Sequence, residues 1–305
     1  MIVQVAKVPR DPIDGVLMLD KPLGLSSNDA LMRARRLLNA RKAGHGGTLD
    51  PLATGLLPLL FGEATKFAHD LLAADKVYLA ELALGVATDS GDAEGRVLSR
   101  APVTCDEPAL RAALARFVGD IEQVPPMHSA LKRAGRPLYE YARAGIEVER
   151  AARPVVIRSI DLLACEGERA TIRVACGKGT YIRTLAADIG AALGCGAHLA
   201  SLRRERVGAL RLIDAIGLDE LEALTPPERL ARLRPLDALL ADMPVQSLDD
   251  TLAARFLNGQ RLRLDADSTS PHAGHRVRVY HQARLLGIAT LVDGRLAPQR
   301  LIAAT

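Results

Sequence analysis

Segments with helical periodicity alternate with short extended segments over the first 200 residues, and this order constrains the fold more than any other feature of the chain. Apolar residues recurring every three or four positions predict helices, whereas short apolar runs predict buried strands. The predicted strands are 15–20, 76–84, 155–163 and 170–176. The predicted helices begin near Ser27, which can act as N-cap, and near Ala64, Asp106 and Ile182, and the last ends at Gly194. The order predicts a mixed α/β core.

The remaining segments divide the chain into two predicted units. Residues 124–152 lose clear periodicity and are predicted to be an insertion off the core. Acidic helices around Thr225-Pro226-Pro227 are expected at the edge of the core, and Met243-Pro244 is the predicted boundary. Four short runs then predict a small all-β unit, at 260–264, 275–281, 285–292 and 295–302. We therefore expect domains at 1–244 and 245–305.

Composition narrows the class of protein. The chain has 305 residues, of which 49% are apolar, so it can bury a large core. Its longest nearly unbroken apolar run, Leu52–Phe61, is too short to span a membrane, and residues 1–10 lack the apolar core of a signal peptide. The four cysteines have no metal-ligand spacing, and no P-loop, dinucleotide or HExxH motif is present. We expect a cytoplasmic protein without a structural metal.

Charge is unevenly distributed along the chain. Residues 30–44 contain five basic side chains and no acid, residues 131–158 contain seven basic side chains, and residues 255–300 contain eight arginines. An acidic stretch at 212–250 separates the last two clusters. A single cluster could be a solvated helix face, but three clusters favour a polyanion, and nucleic acid is the predicted partner.

A glycine-rich segment surrounds one carboxylate. Gly44 to Gly55 contains four glycines together with Asp50-Pro51. Glycine permits close approach by another molecule, and Pro51 restricts Asp50 to extended conformations, so the carboxylate is held in a stiff turn. This segment is the predicted active site. The local pattern also fits a simpler interpretation, in which Asp50 caps a helix that begins near Pro51.

Three further residues have both a functional and a structural interpretation. His45 could be a base or a metal ligand, but no ligand partner lies at suitable spacing, which favours a structural or stacking role. Tyr78 lies in the middle of a predicted strand and could be a core aromatic residue. Arg183 lies in the first turn of a helix, where the dipole disfavours a cation, so we expect an acidic partner, either Asp50 or Asp188.

Seven sequence blocks occur in a fixed order and carry a family resemblance. They are Lys21-Pro22-Leu23-Gly24-Leu25-Ser26-Ser27, Gly44-His45-Gly46-Gly47-Thr48-Leu49-Asp50-Pro51, Lys76-Val77-Tyr78, Ser129-Ala130-Leu131-Lys132, Tyr139-Glu140-Tyr141-Ala142-Arg143, Gly179-Thr180-Tyr181-Ile182-Arg183 and Leu202-Arg203-Arg204. Together they closely resemble the bacterial tRNA pseudouridine-55 synthases, over nearly the whole chain.

The resemblance implies a fold and a reaction. The implied fold is an α+β pseudouridine-synthase core on a mixed, largely antiparallel sheet flanked by helices, with an RNA-gripping insertion at 124–152 and a small β-rich PUA-like RNA-binding domain from residue 245. The implied reaction isomerises the uridine at position 55 in the TΨC loop of tRNA to pseudouridine without a cofactor. It implies tRNA as partner, with no membrane or protein partner, and a monomer.

The resemblance also assigns site residues. It implies that Asp50 is the catalytic aspartate, that Tyr78 stacks on the uracil and accepts the C5 proton, and that Arg183 pairs with Asp50. The residues implied to serve RNA binding are His45, which fills the space left by the flipped base, Leu202, which packs on that base, and Lys21, Lys132 and Arg143. Lys21 and Pro22 are further expected to support the loop that carries Asp50.

The sequence departs from the family pattern at two positions. Gly46 stands where threonine is common, and His128 stands where an aromatic residue is usual. Both positions lie near the implied RNA path, so they bear on affinity or on loop geometry. An alternative function is a non-catalytic tRNA-binding or folding module that uses the same basic surfaces.

Overall fold

The structure is a computed structural model that describes residues 9–129, 131–264 and 275–302. Most of the residues behind the expectation that 1–10 form no signal peptide therefore lie outside the described part of the chain. Asp265, Asp267 and the last residues of the predicted C-terminal unit also lie outside it. None of the described helices is long and apolar enough to cross a membrane.

The first part of the chain alternates strands and helices. The strands are β1 (Gly15–Lys21), β2 (Ala43–His45), β3 (Ala53–Phe61), β4 (Lys76–Leu84), β5 (Val86–Thr88), β6 (Val97–Arg100), β7 (Gly119–Gln123), β8 (Lys132–Arg133), β9 (Arg136–Pro137), β10 (Arg153–Glu166), β11 (Arg169–Cys176), β12 (Ala197–Val207), β13 (Leu210–Arg211) and β14 (Ile216–Gly217). The α-helices are α1 (Ser27–Leu37), α2 (Ala68–Ala73), α3 (Glu107–Ala115), α4 (Leu138–Arg143), α5 (Ile182–Leu193), α6 (Leu218–Ala223) and α7 (Pro226–Ala231). Single 3-10 helices occupy Gly62–Phe67, Leu212–Asp214 and Leu236–Leu240.

One large mixed sheet organises this part of the described chain. Its order is β14-β1-β3-β12-β4-β11-β10-β7, with β2 paired to β3 and β13 paired to β12. The pairs β1–β14 and β3–β12 are parallel, and the other pairs are antiparallel. The described residues thus confirm the expected α+β fold with a mixed, largely antiparallel sheet.

Strand β3 explains how the two faces of the sheet are covered. It is buried along almost its whole length, because one apolar cluster covers its Leu57, Leu59 and Phe61 face and a second covers its Leu56 and Leu60 face. Helices α1, α3, α5 and α6 contribute to the first cluster, whereas α2 and the 3-10 helix before it contribute to the second. The apolar run Leu52–Phe61, for which the sequence analysis concluded only that it is too short to span a membrane, therefore forms a central strand of the sheet from Ala53 onward.

Several predicted boundaries are confirmed and one is wrong. Strand β4 has the predicted bounds, and α5 ends at Gly194, which has a φ of 77° suited to a glycine C-cap. Ser27, however, is not the N-cap of α1. Ser26 takes that position and accepts a hydrogen bond from the amide of Asp29, while Ser27 is buried.

Residues 124–152 connect the paired strands β7 and β10. The described part of this segment contains the β8–β9 hairpin and α4, and neither strand of the hairpin joins the large sheet. The aromatic rings of α4 lie beside arginines: Arg143 is 5.4 Å from the Tyr139 ring, and Arg136 is 4.8 Å from the Tyr141 ring.

The C-terminal residues form a separate apolar cluster. A described five-stranded sheet contains β15 (Val245–Ser247), β16 (Leu262–Arg263), β17 (Arg276–His281), β18 (Arg284–Val292) and β19 (Arg295–Leu301). The expectation of an all-β unit is incomplete, because α8 (Asp250–Leu257) buries Phe256 in this cluster. The Asp249 side chain caps α8 by accepting a hydrogen bond from the amide of Leu252. Aspartate is a preferred N-cap residue, so the start of this helix could have been predicted from the sequence.

The C-terminal sheet packs against the first part of the chain near α2. Phe67 and Ile288 share a small apolar cluster with Leu240. Arg276 pairs with Asp70 of α2, and the Tyr280 hydroxyl donates to Asp237 at 2.6 Å. Helix α2 therefore lies between the C-terminal sheet and the large sheet.

Candidate active site

Asp50 lies in a loop at the start of β3. We call residues 46–52 the Asp50 loop; the chain turns through Pro51 and Leu52, and the amide of Ala53 donates to the carbonyl of Asp50 at 3.0 Å. Because a strand and not a helix follows this turn, the interpretation of Asp50 as a helix cap is wrong. The Asp50 side chain is 42% exposed, so a second molecule can reach it.

Buried hydrogen bonds fix the backbone just before Asp50. The Ser27 hydroxyl donates to the carbonyl of Leu49 at 2.9 Å and accepts from its amide at 2.7 Å. The amide of Gly24 also donates to the carbonyl of Pro51 at 2.9 Å. The start of α1 and the loop before it thus hold both sides of the carboxylate.

Arg183 is the partner of Asp50. Its Nε lies 3.0 Å from an Asp50 carboxylate oxygen, and its side chain is only 6% exposed. The interpretation that paired Arg183 with Asp50 is confirmed, whereas the alternative partner, Asp188, forms no ion pair with Arg183. Burial raises the pKa of Asp188. The buried guanidinium therefore orients the exposed carboxylate.

A second acid, Asp92, contacts the same guanidinium. One oxygen of Asp92 lies 3.6 Å from Arg183 Nε, and its other oxygen accepts from the Ser90 hydroxyl at 2.5 Å and from the Glu94 amide at 3.1 Å. The side chain of Asp92 is 6% exposed. The sequence analysis missed Asp92, which lies in a polar loop with no marker of its own.

Arg183 also contacts the segment 124–152. Its Nη2 donates to the carbonyl of His128 at 2.7 Å, and its Nη1 donates to the carbonyl of Ser90 at 3.3 Å. His128, one of the two departures from the family pattern, therefore contributes a backbone carbonyl to the site. Because this carbonyl belongs to the backbone, it is present whichever side chain position 128 carries.

Tyr78 lies under the Asp50 loop. It is buried in β4, where it pairs with Val174 of β11 on one side and with Arg204 of β12 on the other. Burial raises the pKa of Tyr78, and the Arg204 cation opposes that shift. The phenol is therefore protonated at neutral pH.

Lys21 is buried beside the Asp50 loop. Its ammonium donates to the carbonyls of Leu25 at 2.6 Å and Pro22 at 2.9 Å. Burial lowers the pKa of Lys21 to about 8, although the Asp50 carboxylate opposes the shift. Lys21 is 0% exposed, and its hydrogen bonds hold the backbone of residues 22–25.

His45 and Leu202 lie on either side of the Asp50 loop. His45 ends β2, immediately before Gly46, and burial together with the Arg204 cation lowers its pKa. Leu202 is partly buried on β12 opposite Ala53, three residues beyond Asp50. His45 therefore lies just before the loop that carries the Asp50 carboxylate, and Leu202 lies beside the strand that follows it.

Gly46 packs against α2. A Cβ atom at position 46 would lie 2.3 Å from Leu71 Cδ1, so Leu71 occupies the space that a side chain at this position would need. Glycine stands here where threonine is common in the family, and the loop packs closely on α2 at this position.

Lys132 and Arg143 lie away from these residues, in the segment 124–152. Lys132 is exposed in β8, and Arg143 is exposed at the last residue of α4. Neither contacts Asp50. They can meet a ligand only if it extends from the Asp50 loop across this segment.

The site joins an accessible carboxylate to a buried cation and a buried phenol. Such a set can position and stabilise charge on a substrate that enters from solvent. Within the described residues, no group of three or more His, Cys, Asp or Glu side chains is arranged to hold a metal.

Two solved structures share this fold over most of their length. One described as a Cbf5-Nop10-Gar1 complex matches with a TM-score of 0.72 and 26% identity, over 94% of this chain and 84% of that chain. Another, described as an H/ACA RNP bound to a substrate RNA containing 2'-deoxyuridine, matches with a TM-score of 0.72 and 25% identity, over 95% of this chain and 85% of that chain.

Sequence comparison defines the family more narrowly. Residues 35–182 match the TruB family pseudouridylate synthase N-terminal domain, residues 183–243 match the tRNA pseudouridylate synthase B C-terminal domain, and residues 244–302 match the Pseudouridine synthase II TruB C-terminal model. A tRNA pseudouridine synthase B of Burkholderia mallei is 62% identical over 299 residues, covering 97% of this chain and 96% of that protein. One from Cupriavidus pinatubonensis is 59% identical over 304 residues, covering 97% and 96%. The chain belongs to the TruB family of pseudouridylate synthases.

Proposed function

We propose that the protein converts the uridine at position 55 in the TΨC loop of tRNA to pseudouridine. The observation that carries this proposal is the ion pair between exposed Asp50 and buried Arg183, at 3.0 Å. Relatives that are about 60% identical over nearly their whole length are named tRNA pseudouridine synthase B, which supports tRNA as the substrate.

The reaction is an isomerisation that needs the target base outside its stack. Flipping a base out costs a few kcal/mol, which contacts in the pocket offset. The bond between N1 of uracil and C1′ of the ribose breaks, the base rotates, and a bond between C5 and C1′ forms. The C5 proton leaves and N1 gains a proton, so the atoms balance without a cofactor.

Asp50 acts on the ribose or on the detached base. Its carboxylate either forms a covalent intermediate or stabilises the cleaved one, and both routes require an oriented oxygen beside the substrate. Arg183 supplies that orientation through its Nε, and Asp92 and two backbone carbonyls hold the guanidinium in turn.

Tyr78 stacks on the uracil and receives the C5 proton. Because the phenol is protonated in the free protein at neutral pH, it gives its own proton to N1 of the detached base and then accepts the C5 proton, so it ends the reaction protonated as it began. The neighbouring Arg204 cation favours the phenolate that this exchange requires.

His45, Leu202 and the segment 124–152 recognise the RNA around the target. His45 fills the space that the flipped base leaves, and Leu202 packs on the base. Lys132 and Arg143 contact the phosphate backbone, while Lys21 supports the Asp50 loop from inside the protein. Their positions around the loop, on the exposed hairpin and at the end of α4 support these roles.

Tritium release tests the activity. Unmodified tRNA carrying uridine labelled at C5 should release one equivalent of label with the wild-type protein and none with Asp50→Asn. Asp242→Asn, at an exposed acid remote from the loop, should match wild type. Mapping of pseudouridine in the product should locate it at position 55, and a product at another position would refute the proposed specificity.

A binding measurement separates catalysis from the alternative of a non-catalytic module. Asp50→Asn should bind unmodified tRNA within about threefold of wild type if the carboxylate is chemical. Absence of label release by the wild-type protein, with tRNA binding retained, would favour the non-catalytic module.

The proposal extends to the setting in which the protein works. We infer a monomer that binds the TΨC arm in the cytoplasm. All four cysteines are free thiols in the described chain, which supports a reducing compartment. Light scattering coupled to size exclusion should give the mass of one 32.6 kDa chain, and a stable dimer would contradict this part.

A further inference from the structure

Arg204 is a buried cation without an acidic partner. Its exposure is 1%, which makes it one of the largest fully buried side chains in the described chain. Within residues 9–129, 131–264 and 275–302, no carboxylate forms an ion pair with it. A buried charge is costly unless it is paired or fully hydrogen bonded. Its retention at this position therefore requires an explanation.

The hydrogen bonds of Arg204 all lead to the active site or its supporting strand. Nε donates to the carbonyl of Leu56 on β3 at 2.7 Å, Nη2 to the carbonyl of Gly47 at 3.2 Å and Nη1 to that of Thr48 at 3.5 Å. Gly47 and Thr48 lie three and two residues before Asp50. The guanidinium thus binds the loop from below.

The same residue lies beside Tyr78. Arg204 pairs with Tyr78 in the ladder between β12 and β4, and its cation opposes the rise that burial causes in the pKa of Tyr78. Arg204 is therefore adjacent to two structures that are distant in sequence, the loop that carries the carboxylate and the strand that carries the phenol.

The backbone of Arg204 is also fixed against the loop. Gly55 pairs with Arg204 in the parallel β3–β12 ladder, and a Cβ atom at Gly55 would lie only 2.4 Å from the Arg204 carbonyl oxygen. Gly55 has a φ of 100°, which favours glycine. The strands therefore approach too closely for the backbone of Arg204 to shift without moving β3.

We propose that Arg204 is a positioning residue that sets the Asp50 carboxylate and the Tyr78 phenol in their relative places for the isomerisation. This inference rests on the proposed function. Arg204 does not touch the substrate; it acts through the carbonyls of Gly47 and Thr48 and through its pairing with Tyr78 on the neighbouring strand. A misplacement of about 1 Å at a reacting group can lower a rate by about 100-fold.

Arginine and lysine should differ at this position. A lysine ammonium keeps the charge but is a single point of donation, so it cannot meet the carbonyls of Leu56, Gly47 and Thr48 together. If Arg204 acts only by its charge, Arg204→Lys should be nearly wild type. If it acts by geometry, Arg204→Lys should be clearly impaired although the charge is kept.

The test compares Arg204→Lys and Arg204→Met with Arg206→Met, which removes an exposed arginine from the same strand. We expect single-turnover pseudouridine formation to fall at least about tenfold in Arg204→Lys and about 100-fold in Arg204→Met. Affinity for tRNA should stay within about threefold of wild type in both, because Arg204 does not reach solvent. Arg206→Met should retain the wild-type single-turnover rate.

Hydrogen exchange provides a readout that needs no substrate. The amides of residues 46–50 should exchange faster in both Arg204 variants than in wild type, while those of α5 should be unchanged. This result would support the positioning role even if the wild-type protein proved to modify another uridine, so failure of the proposed function and failure of this inference can be told apart.

Three outcomes would overturn the proposal. They are a wild-type rate in Arg204→Lys, loop exchange that is unchanged in both variants, and loss of folding in both variants, judged by circular dichroism. The last outcome would assign Arg204 to the stability of the whole sheet and not to the loop.

Discussion

Leu71 of α2 occupies the space into which a side chain at Gly46 would project. A Cβ atom at position 46 would lie 2.3 Å from Leu71 Cδ1 and 2.8 Å from Leu71 Cβ. Gly46 and Leu71 are therefore complementary in size. Because residue 46 has no side chain, Leu71 can pack directly against the Asp50 loop.

Gly46→Ala should destabilise the protein by about 1 to 3 kcal/mol, because the added methyl group overpacks a buried contact. Urea denaturation would measure the change. Gly44→Ala is the matched control, since its Cβ atom would be 3.8 Å from the nearest atom, Thr65 Cγ2, and its cost should stay near 0.5 kcal/mol. The double variant Gly46→Ala/Leu71→Ala should show coupling of about 0.5 to 3 kcal/mol. Additive effects would mean that the two residues do not share this space.

Asp92→Asn should slow pseudouridine formation by about 10- to 100-fold without weakening tRNA binding. The amide removes one charge from the Asp92–Arg183 contact, so Arg183 is free to shift relative to Asp50. Single-turnover kinetics and a binding isotherm would separate the two effects. Asp89→Asn, three residues earlier at an exposed acid paired with Arg96, should keep the wild-type rate. Equal loss in both variants would point to the loop as a whole.

Ser27→Ala should lower both stability and rate. It leaves the buried amide and carbonyl of Leu49 without their partner, at a cost of about 1 to 3 kcal/mol. Ser26→Ala removes the N-cap of α1 and should cost about 1 kcal/mol. Thermal unfolding and single-turnover rates would be measured on both. The prediction is that only Ser27→Ala slows the reaction, because only Ser27 holds the Asp50 loop.

Lys76 should make the free energy of unfolding increase with pH above about 8. Its ammonium caps the end of α2 by donating to the carbonyls of Leu71, Leu72 and Ala74, yet burial lowers its pKa from 10.5 to about 8. Between pH 8 and 10.5 the folded state therefore binds fewer protons than the unfolded state at this group, so the free energy of unfolding increases with pH.

Urea denaturation of wild type and Lys76→Met would test this dependence. The difference between their free energies of unfolding should shift by about 2 to 3 kcal/mol in favour of wild type between pH 7 and pH 10.5. Lys178→Met controls for loss of one exposed lysine. A difference that stays constant over this range would contradict a lowered pKa at Lys76.

Affinity for tRNA should fall steeply with salt. The basic side chains at Arg33, Arg36, Arg41 and Lys42 are exposed, and binding to phosphates releases counterions. Replacing Arg41 and Lys42 with glutamate should lower the slope of log Kd against log salt by about 0.9 for each phosphate that the variant no longer neutralises. A flat dependence in wild type would contradict RNA binding through these surfaces.

Local patterns predicted elements well where one residue type determined the geometry. Gly194 ends α5 as expected, and the extended run at Lys76–Leu84 forms β4 with the predicted bounds. Asp50-Pro51 was ambiguous because the same dipeptide can start a helix or a turn. The choice depends on the next ten residues, whose apolar side chains are buried on both faces of the sheet as β3.

The missed residues depend on contacts between distant segments. Arg204 stands next to Arg203, which forms a half-exposed pair with Asp20, and nothing in the sequence distinguishes the buried arginine from the exposed one. Only the register of β12 against β3 and β4 places Arg204 under the Asp50 loop. Asp92 is similar, because its role depends on Arg183, which follows about 90 residues later.

The pairing of β3 with β12 has a consequence for biosynthesis. The hydrogen bond from Arg204 to Leu56 joins residues 148 positions apart, so a growing chain exposes the Asp50 loop long before its support has been made. At about 5 to 20 residues per second, that interval lasts about 7 to 30 seconds. A ribosome-bound chain therefore carries the Asp50 carboxylate without the strand that positions its loop, and the nascent protein should be inert towards the tRNAs that surround it during translation.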